Sequence, residues 1–230
     1  MRPISAPGMS PEGWLRPVQS AEVAAEQEAR IARICPGNRL VQEAEGREDH
    51  VLWGPILRTR TGYATDPALR RNASSGGVLS AIAAYLLESG EVDVVLQTAA
   101  SEADAVSNRS VVSTSRADVF DAAGSRYAPS APLSALEDLL QRRQRIAFLG
   151  KPCDVSTLRS MAEDDPRIRE HVVVMLSFFC AGVPSRKGAQ EVLTHMGAPE
   201  AEVTAVRYRG DGWPGYARAQ LRDGSSRSMS

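Results

Sequence analysis

The sequence predicts an α/β protein with a central, mostly parallel or mixed sheet and helices on both faces. Segments with helical periodicity alternate with short strands that are apolar along almost their whole length, as in residues 146–149 and 171–179. Such strands are typical of a sheet covered on both faces. The chain has 230 residues, 43% of them hydrophobic and 24% charged, which suffices for one large globular domain.

The first 50 residues are predicted to form a flexible lead-in and a short helix. Residues 1–19 carry four prolines among small and polar residues, a composition that favours a mobile segment. Ser20 to Ile34 has a helical pattern, and Cys35-Pro36-Gly37 ends it because proline cannot continue a helix. Residues 51–230 are assigned to the α/β domain.

Within that domain, hydrophobic periodicity predicts the elements in order. They are helix 78–87, strands 92–96 and 111–114, helices 116–122 and 132–142, strand 146–149, helix 154–162, strand 171–179, helix 185–196, and strands 202–209 and 216–222. The last two strands are interpreted as an antiparallel extension at the C-terminal end.

Composition excludes several classes of function. Lys plus Arg number 27 and Asp plus Glu 28, so the net charge of −1 argues against a nucleic-acid partner bound by a basic surface. No apolar run reaches the roughly 20 residues of a membrane span or forms a signal peptide. Three widely spaced cysteines do not form a disulfide framework, and a cytoplasmic protein is expected.

Two cysteines follow predicted strands. Cys153 lies in the turn after strand 146–149, and Cys180 closes strand 171–179. If these strands are parallel, both thiols lie at the sheet edge where α/β proteins bind ligands. Two small buried side chains are an equally good interpretation, since free cysteine is commonly buried. Two thiols cannot by themselves complete a four-thiolate metal or cluster site.

A glycine-rich turn, Ser74-Ser75-Gly76-Gly77, precedes the helix at 78–87. Serine is a good N-cap, and glycine lets a ligand such as phosphate approach the amides of a helix start. An ordinary capped turn explains the same residues. Gly124-Ser125-Arg126-Tyr127 offers a cation beside an aromatic ring, or simply a helix C-cap with a solvated arginine.

Taken in order, these motifs resemble the beta-subunit family of coenzyme F-420 hydrogenases and dehydrogenases over roughly residues 50–230. The matching segments are Gly54-Pro55, Ser74–Gly77, Ala123–Tyr127, Gly150–Cys153, Phe179–Ser185 and Gly212-Trp213. This sequence has Lys151 where the family usually has threonine, and Asp154 where glutamine is common.

The resemblance implies an oxidoreductase that binds FAD and 4Fe-4S clusters. It places Ser75, Gly76, Gly77, Arg126 and Tyr127 at the FAD, and makes Cys153 and Cys180 ligands of a cluster whose ligand set is incomplete in this chain. The implied partners are a redox protein such as ferredoxin, a deazaflavin (coenzyme F-420), or other subunits of a hydrogenase or dehydrogenase complex.

The resemblance also implies a C-terminal region with a further cysteine pair, so the chain is expected to be truncated short of it. Two other functions compete with the redox one. The chain is alternatively a non-catalytic scaffold subunit of a redox complex. In the third hypothesis Cys153 is a nucleophile whose thiolate is stabilised by the start of helix 154–162.

Overall fold

The protein is described by a computed structural model that covers residues 5–40, 44, 46–209 and 215–230. Its helices are α1 (Ala25–Ile34), α2 (Pro67–Asn72), α3 (Val78–Glu88), α4 (Arg116–Asp121), α5 (Leu136–Gln141), α6 (Pro152–Asp164), α7 (Pro166–His171) and α8 (Arg186–His195). Its strands are β1 (Ser5–Met9), β2 (Leu15–Gln19), β3 (Glu48–His50), β4 (Gly54–Ile56), β5 (Val94–Ala100), β6 (Asn108–Ser113), β7 (Ile146–Gly150), β8 (Val172–Ser177), β9 (Val203–Arg207), β10 (Ala217–Leu221) and β11 (Ser226–Met229).

The central sheet has four strands in the order β6-β5-β7-β8. β7 runs parallel to both of its neighbours, while β6 pairs with β5 in the antiparallel direction. The sheet is therefore mixed, with a parallel core, as the sequence predicts. No helix of the described residues is long and apolar enough to cross a membrane.

Helices cover both faces of this sheet. Alternate side chains of its strands point to opposite faces and pack into two separate apolar layers. One layer joins side chains of β5 and β7 to those of α5, α6 and α7, around the buried Phe148 and Leu158. The other layer joins Val95 and Ala147 to Ala83 and Ala84 of α3 and to α4. The predicted helix–sheet–helix arrangement is confirmed.

A second sheet follows the central one in the chain. β9, β10 and β11 form a three-stranded antiparallel sheet in the order β11-β10-β9. Its buried Val206 and Ala219 pack with Leu193 of α8, which gives this part of the chain its own apolar cluster. The predicted antiparallel strands are present, but they form a separate sheet rather than lengthening the central one.

The N-terminal residues contain more regular structure than the sequence predicts. β1 and β2 pair as an antiparallel hairpin where no strand is predicted, and β3 and β4 form another. α1 lies within the predicted helical stretch and has no buried residue. Arg30 and Arg33 bind Asp164 at the end of α6, so α1 is attached to the domain through ion pairs.

Candidate functional site

The two cysteines lie at one edge of the central sheet. In the parallel pair β7–β8, Gly150 is in register with Ser177, and the Ser177 hydroxyl donates to the Gly150 carbonyl at 3.0 Å. Cys153 and Cys180 each follow three residues after this pair. The expected placement of both thiols at the carboxyl end of adjacent parallel strands is therefore confirmed, and both are exposed.

Cys153 lies in the first turn of α6 rather than in a turn before the helix. α6 begins at Pro152, two residues earlier than predicted, because proline fits the first helical position. Gly150 precedes it where a Cβ would lie 2.6 Å from Cζ of the buried Phe148. A side chain at residue 150 would therefore collide with this ring, and its Cβ would also lie 3.1 Å from Cβ of Asp154 in the first turn of α6.

The environment of Cys153 does not activate its thiol. Although the residue is exposed overall, partial desolvation raises the pKa of the Cys153 thiol, and the Asp154 carboxylate raises it further. The Lys151 ammonium opposes this shift but pairs with Asp154, at 2.7 Å between Nζ and Oδ2. A nucleophilic cysteine needs a lowered pKa, so the raised pKa of Cys153 argues against the nucleophile hypothesis.

The segment that carries Cys180, residues 178–185, connects β8 to α8 without regular secondary structure. Its first five residues are exposed, and Phe179 retains 93% of its accessible surface. Cys35 lies at the end of α1 and is exposed as well. Within the described ranges, no group of three or more His, Cys, Asp or Glu side chains is arranged to hold a metal ion.

The Ser74–Gly77 turn has an unusual backbone. Ser75, Gly76 and Gly77 have φ values of 51°, 70° and 76°, three successive residues in the left-handed region. Gly77, not a serine, is the N-cap of α3, and no side chain caps the helix. The predicted serine N-cap is therefore wrong for α3; Ser74 instead precedes a short 3-10 turn, Ser75–Gly77.

The two glycines of this turn face protein on the side where a side chain would project. A Cβ on Gly76 would lie 3.1 Å from Cβ of Tyr63, and one on Gly77 would lie 3.2 Å from both Cβ of Ala64 and the Leu69 carbonyl oxygen. Glycine is thus required here for its backbone conformation and for close packing. Protein atoms therefore fill the space on this side of the turn, and the FAD contact expected of Ser75, Gly76 and Gly77 stays a prediction.

The turn contacts the second predicted motif. The hydroxyls of Ser74 and Ser125 lie 2.6 Å apart, which joins Ser74–Gly77 to Gly124–Tyr127 across 51 residues of sequence. β9 reaches the same place, because the Arg207 guanidinium donates to the Asn72 carbonyl at 2.6 Å. Three segments that are distant in sequence therefore meet beside the start of α3.

Arg126 is committed to protein contacts. Its guanidinium donates to Asn108 Oδ1 at 3.0 Å, to the Val206 carbonyl at 2.9 Å, and to the carbonyls of Ala105 and Ser107 at 3.3 and 3.2 Å. Burial lowers the pKa of this guanidinium, which nevertheless stays charged. The side chain thus ties the connection after β5 to β9, and the solvated arginine of the alternative interpretation is wrong.

Tyr127 faces a tyrosine that sequence analysis did not single out. The rings of Tyr127 and Tyr208 meet edge to face with centroids 5.2 Å apart. The Tyr208 hydroxyl is buried and has no hydrogen-bond partner among the described residues, and burial raises its pKa. A buried donor without a partner is costly, so this hydroxyl is an unpaired polar group in the interior of the protein beside Tyr127.

A shallow apolar depression lies along the exposed side of α3. Its lining includes Tyr63, Ile82 and Tyr85, and Tyr85 keeps 64% of its surface exposed. The Arg70 guanidinium lies 3.7 Å from the centre of the Tyr63 ring, which puts a cation next to the depression. Flat apolar surface beside a cation suits a planar, negatively charged ligand.

Several residues of this region carry no local sequence signal. Tyr63, Asn108 and Tyr208 join the site through tertiary contacts, and only their polar or aromatic character distinguishes them in the sequence. The predicted Gly212-Trp213 element lies outside the described residues. The structure thus brings Ser74–Gly77 and Gly124–Tyr127 together and places the two cysteines at the carboxyl ends of neighbouring strands.

The fold and these two groups of residues define a mixed α/β domain with a candidate cofactor site at the carboxyl edge of its sheet. Two family models match the chain: coenzyme F420 hydrogenase/dehydrogenase, beta subunit N-term, over residues 59–137, and the C terminus of the same subunit over residues 143–230. The chain belongs to this family of oxidoreductase subunits, as the resemblance of its motifs indicates. Both cysteines lie within the second match.

Relatives with assigned names agree with this family. The chain is 29% identical to coenzyme F420 hydrogenase subunit beta of Methanococcus voltae, over 56% of this chain and 47% of the relative. It is 31% identical to F420-dependent formate dehydrogenase 1 subunit beta of Methanococcus maripaludis, over 56% of this chain and 33% of the relative. The chain therefore spans less than half the length of these relatives.

A solved structure shares the fold. The chain superposes on a chain of the F420-reducing NiFe hydrogenase complex from Methanosarcina barkeri with a TM-score of 0.58 and 21% identity, covering 73% of this chain and 58% of that one. At this level of identity the likeness concerns the arrangement of helices and strands.

Proposed function

We propose that this chain is the flavin-binding and cluster-binding part of an F420-linked oxidoreductase, and that it transfers electrons between FAD and a redox partner. The observation that carries the proposal is the register of β7 and β8, which places Cys153 and Cys180 equally far beyond paired residues at one sheet edge. Family membership supplies the class of reaction, and FAD and the cluster supply the redox chemistry when bound.

FAD is proposed to bind beside the start of α3. Ser75, Gly76 and Gly77 give the turn its shape, and Tyr127 lies in the segment that the Ser74–Ser125 contact joins to this turn, with its ring packed against Tyr208. The depression along α3 offers apolar contact for a flat ring system. Arg126 supports the site by holding the segment that presents Tyr127, because its donors are occupied by protein.

A 4Fe-4S cluster is proposed to use the thiolates of Cys153 and Cys180. Such clusters take four cysteine ligands, and these two side chains provide half of that set. Since the described residues hold no larger group of ligand side chains, the remaining ligands must come from elsewhere in the protein or from another subunit. The raised pKa of Cys153 means that cluster binding must displace a proton from its thiol.

The proposed partners follow from the names of the relatives. These relatives are subunits of coenzyme F420 hydrogenase, F(420)H(2) dehydrogenase and F420-dependent formate dehydrogenase. We therefore expect the deazaflavin coenzyme, or a redox protein such as ferredoxin, to exchange electrons with the bound flavin. We also expect the chain to work with other subunits of such a complex.

The test is the absorption spectrum and iron content of the intact protein, purified without oxygen. Flavin and iron–sulfur bands are expected together, and Cys153→Ser and Cys180→Ser should each lower bound iron. Cys35→Ser is the matched control, because Cys35 is also exposed but lies at the end of α1. A colourless protein that still binds its partner subunits would instead support the scaffold function, and unchanged iron in both variants would refute the ligand assignment.

A further inference from the structure

The residues before the family matches contact the segment that carries Cys180. The first match begins at residue 59, so the N-terminal segment, here the described residues between 5 and 56, lies outside both matches. Its β1–β2 hairpin touches the start of α8, and its β3–β4 hairpin touches Phe179. These contacts fall on the two sides of Cys180 in the chain.

The stronger contact is made by the tip of the first hairpin. The Gly13 carbonyl accepts a hydrogen bond of 2.8 Å from the backbone N–H of Arg186, the first residue of α8. The first amides of a helix have no partner within the helix, so the hairpin caps α8 together with the Ser185 hydroxyl, which accepts from Gly188. Gly13 has a φ of 86°, and a Cβ there would lie 3.0 Å from the Lys187 nitrogen.

The side chain of Arg186 also holds the start of α8 in place. The Arg186 guanidinium binds Asp104 at 3.0 Å and also pairs with Glu200. Arg186 therefore connects the hairpin, the β5–β6 connection and the residues after α8. Whatever holds Arg186 also fixes the C-terminal end of the Cys180 segment.

The second contact is a weaker, aromatic one. The ring of Trp53, in the turn between β3 and β4, meets the ring of Phe179 edge to face at 5.8 Å between centroids. Both rings remain largely exposed. This contact adds a lateral restraint to the residue next to Cys180.

The Cys180 segment needs such restraints. Residues 178–185 have no regular secondary structure, and residues 178–182 are exposed, so core packing does not fix them. An exposed irregular segment loses conformational entropy when one of its side chains is fixed to a ligand. Restraints that act on the segment beforehand reduce that loss.

We propose that the N-terminal segment is a positioning clamp for Cys180, with Gly13 as its principal contact and Trp53 as its second. Only the purpose of holding Cys180, as a ligand of the cluster, rests on the proposed function. The clamp itself is a property of the protein without cofactor.

Spin-label EPR tests the clamp independently of any cluster. In the intact protein with Cys35→Ser and Cys153→Ser, a nitroxide attached to Cys180 reports the mobility of the segment on the nanosecond timescale. Gly13→Ala should shorten the rotational correlation time of this label about two-fold, because the segment loses one of its two restraints. Trp53→Ala should have a smaller effect in the same direction, and Trp53→Phe should restore the wild-type spectrum.

Three controls separate the contact from general damage. Gly46→Ala introduces a Cβ at a φ of 79° with no atom within 4 Å, so it reproduces the backbone strain without a collision. Val51→Ala trims a 94% exposed side chain in the same turn as Trp53. A label on Cys153, in the background of Cys35→Ser and Cys180→Ser, should not respond to Gly13→Ala.

The clamp is refuted if the Cys180 label has the same mobility in wild type, Gly13→Ala and Trp53→Ala. It is also refuted if Gly46→Ala or the Cys153 label shows an equal change. Iron content in the protein with all its cysteines gives the separate readout. Wild-type protein without iron would refute the cluster and leave the EPR result standing, whereas bound iron with an unresponsive label would refute the clamp alone.

Discussion

Arg126 allows the structure to be tested where it departs from the simplest expectation for a flavin site. The guanidinium makes four hydrogen bonds to protein oxygens, two of them at 2.9–3.0 Å and two at 3.2–3.3 Å from one shared nitrogen. We predict that Arg126→Ala destabilises the fold, because it leaves three backbone carbonyls and the Asn108 side chain without this donor.

The size of the effect follows from the number and length of the bonds. A hydrogen bond contributes about 1 kcal/mol net, and the two longer bonds count for less, so the loss should be about 3 kcal/mol. In a domain of this size 1 kcal/mol corresponds to about 2–4 °C in Tm, which gives a fall of about 6–12 °C. Arg126→Lys should lie between, since an ammonium cannot reproduce the planar fork.

Differential scanning calorimetry of the intact protein, with and without FAD, measures this. Arg109→Ala is the matched control: its guanidinium is 50% exposed and pairs with Glu102, which is 85% exposed, so its removal should cost less than about 1 kcal/mol. If Arg126→Ala melts no lower than Arg109→Ala but loses FAD affinity, the guanidinium binds the flavin and does not have a structural role.

Two further predictions concern the turn and the ion pairs. Gly77→Ala should lower the free energy of unfolding by about 2–3 kcal/mol, from left-handed strain plus the collision with Ala64 and Leu69. Gly90→Ala, at a φ of 71° with no atom within 4 Å, should lower it by only about 1 kcal/mol. Chemical denaturation measures both, and equal losses would contradict the packing argument. Burial acts to raise the pKa of Asp104, but hydrogen bonds from Ser107, Arg186 and the Val106 amide lower it overall from 3.8. Asp104 therefore stabilises the fold above its unfolded-state pKa, and this contribution should fade as the pH falls below about 4. In Asp104→Asn the free energy of unfolding should depend less steeply on pH in the acid range. If wild type and variant give parallel curves of unfolding free energy against pH, this role of Asp104 is excluded.

The elements that could be predicted from the sequence are those whose side chains are buried in a regular pattern. β7 is apolar throughout because both of its faces are covered, and α3 is bounded by glycine at each end. Their chain order, together with the strand-end position of Cys153 and Cys180, was sufficient to predict a shared sheet edge. The register itself could not be predicted in this way, because it shifts by one residue between Ile146 and Ala147.

Two short helices were missed although a signal for them exists. α2 and α7 have six residues each and were not predicted, whereas α4 and α5 have the same length and were; both missed helices begin at an Asp-Pro pair. In each, the aspartate side chain accepts from backbone amides and the proline occupies the first helical position. The N-terminal hairpin was missed for a different reason: its strands contain proline, and β2 is mostly exposed, so no alternation of burial appears.

The composition of the candidate site could be predicted only in part. Ser74 meets Ser125 across 51 residues, and Arg126 meets Val206 across 80, and neither contact has a local pattern. The family resemblance places Arg126 at the FAD, whereas its local pattern indicates a helix C-cap with a solvated arginine, and neither predicts its contacts with Asn108 and Val206. A polar side chain in a loop has the same sequence signature whether it binds a cofactor or a neighbouring carbonyl.

The two departures from the resembled family pattern beside Cys153 are best understood as one coupled change. Where the family pattern has threonine and glutamine, this chain has Lys151 and Asp154, and their side chains pair at 2.7 Å with only 18% and 15% of their surface exposed. Asp154 also accepts from the Lys151 backbone amide at 3.0 Å, so it closes the first turn of α6 as a capping residue would. Either charge alone would be partly desolvated without a partner, which is costly. Together the two charges sum to zero, but they do not act equally on Cys153, because the Asp154 carboxylate raises the pKa of its thiol by more than the Lys151 ammonium lowers it.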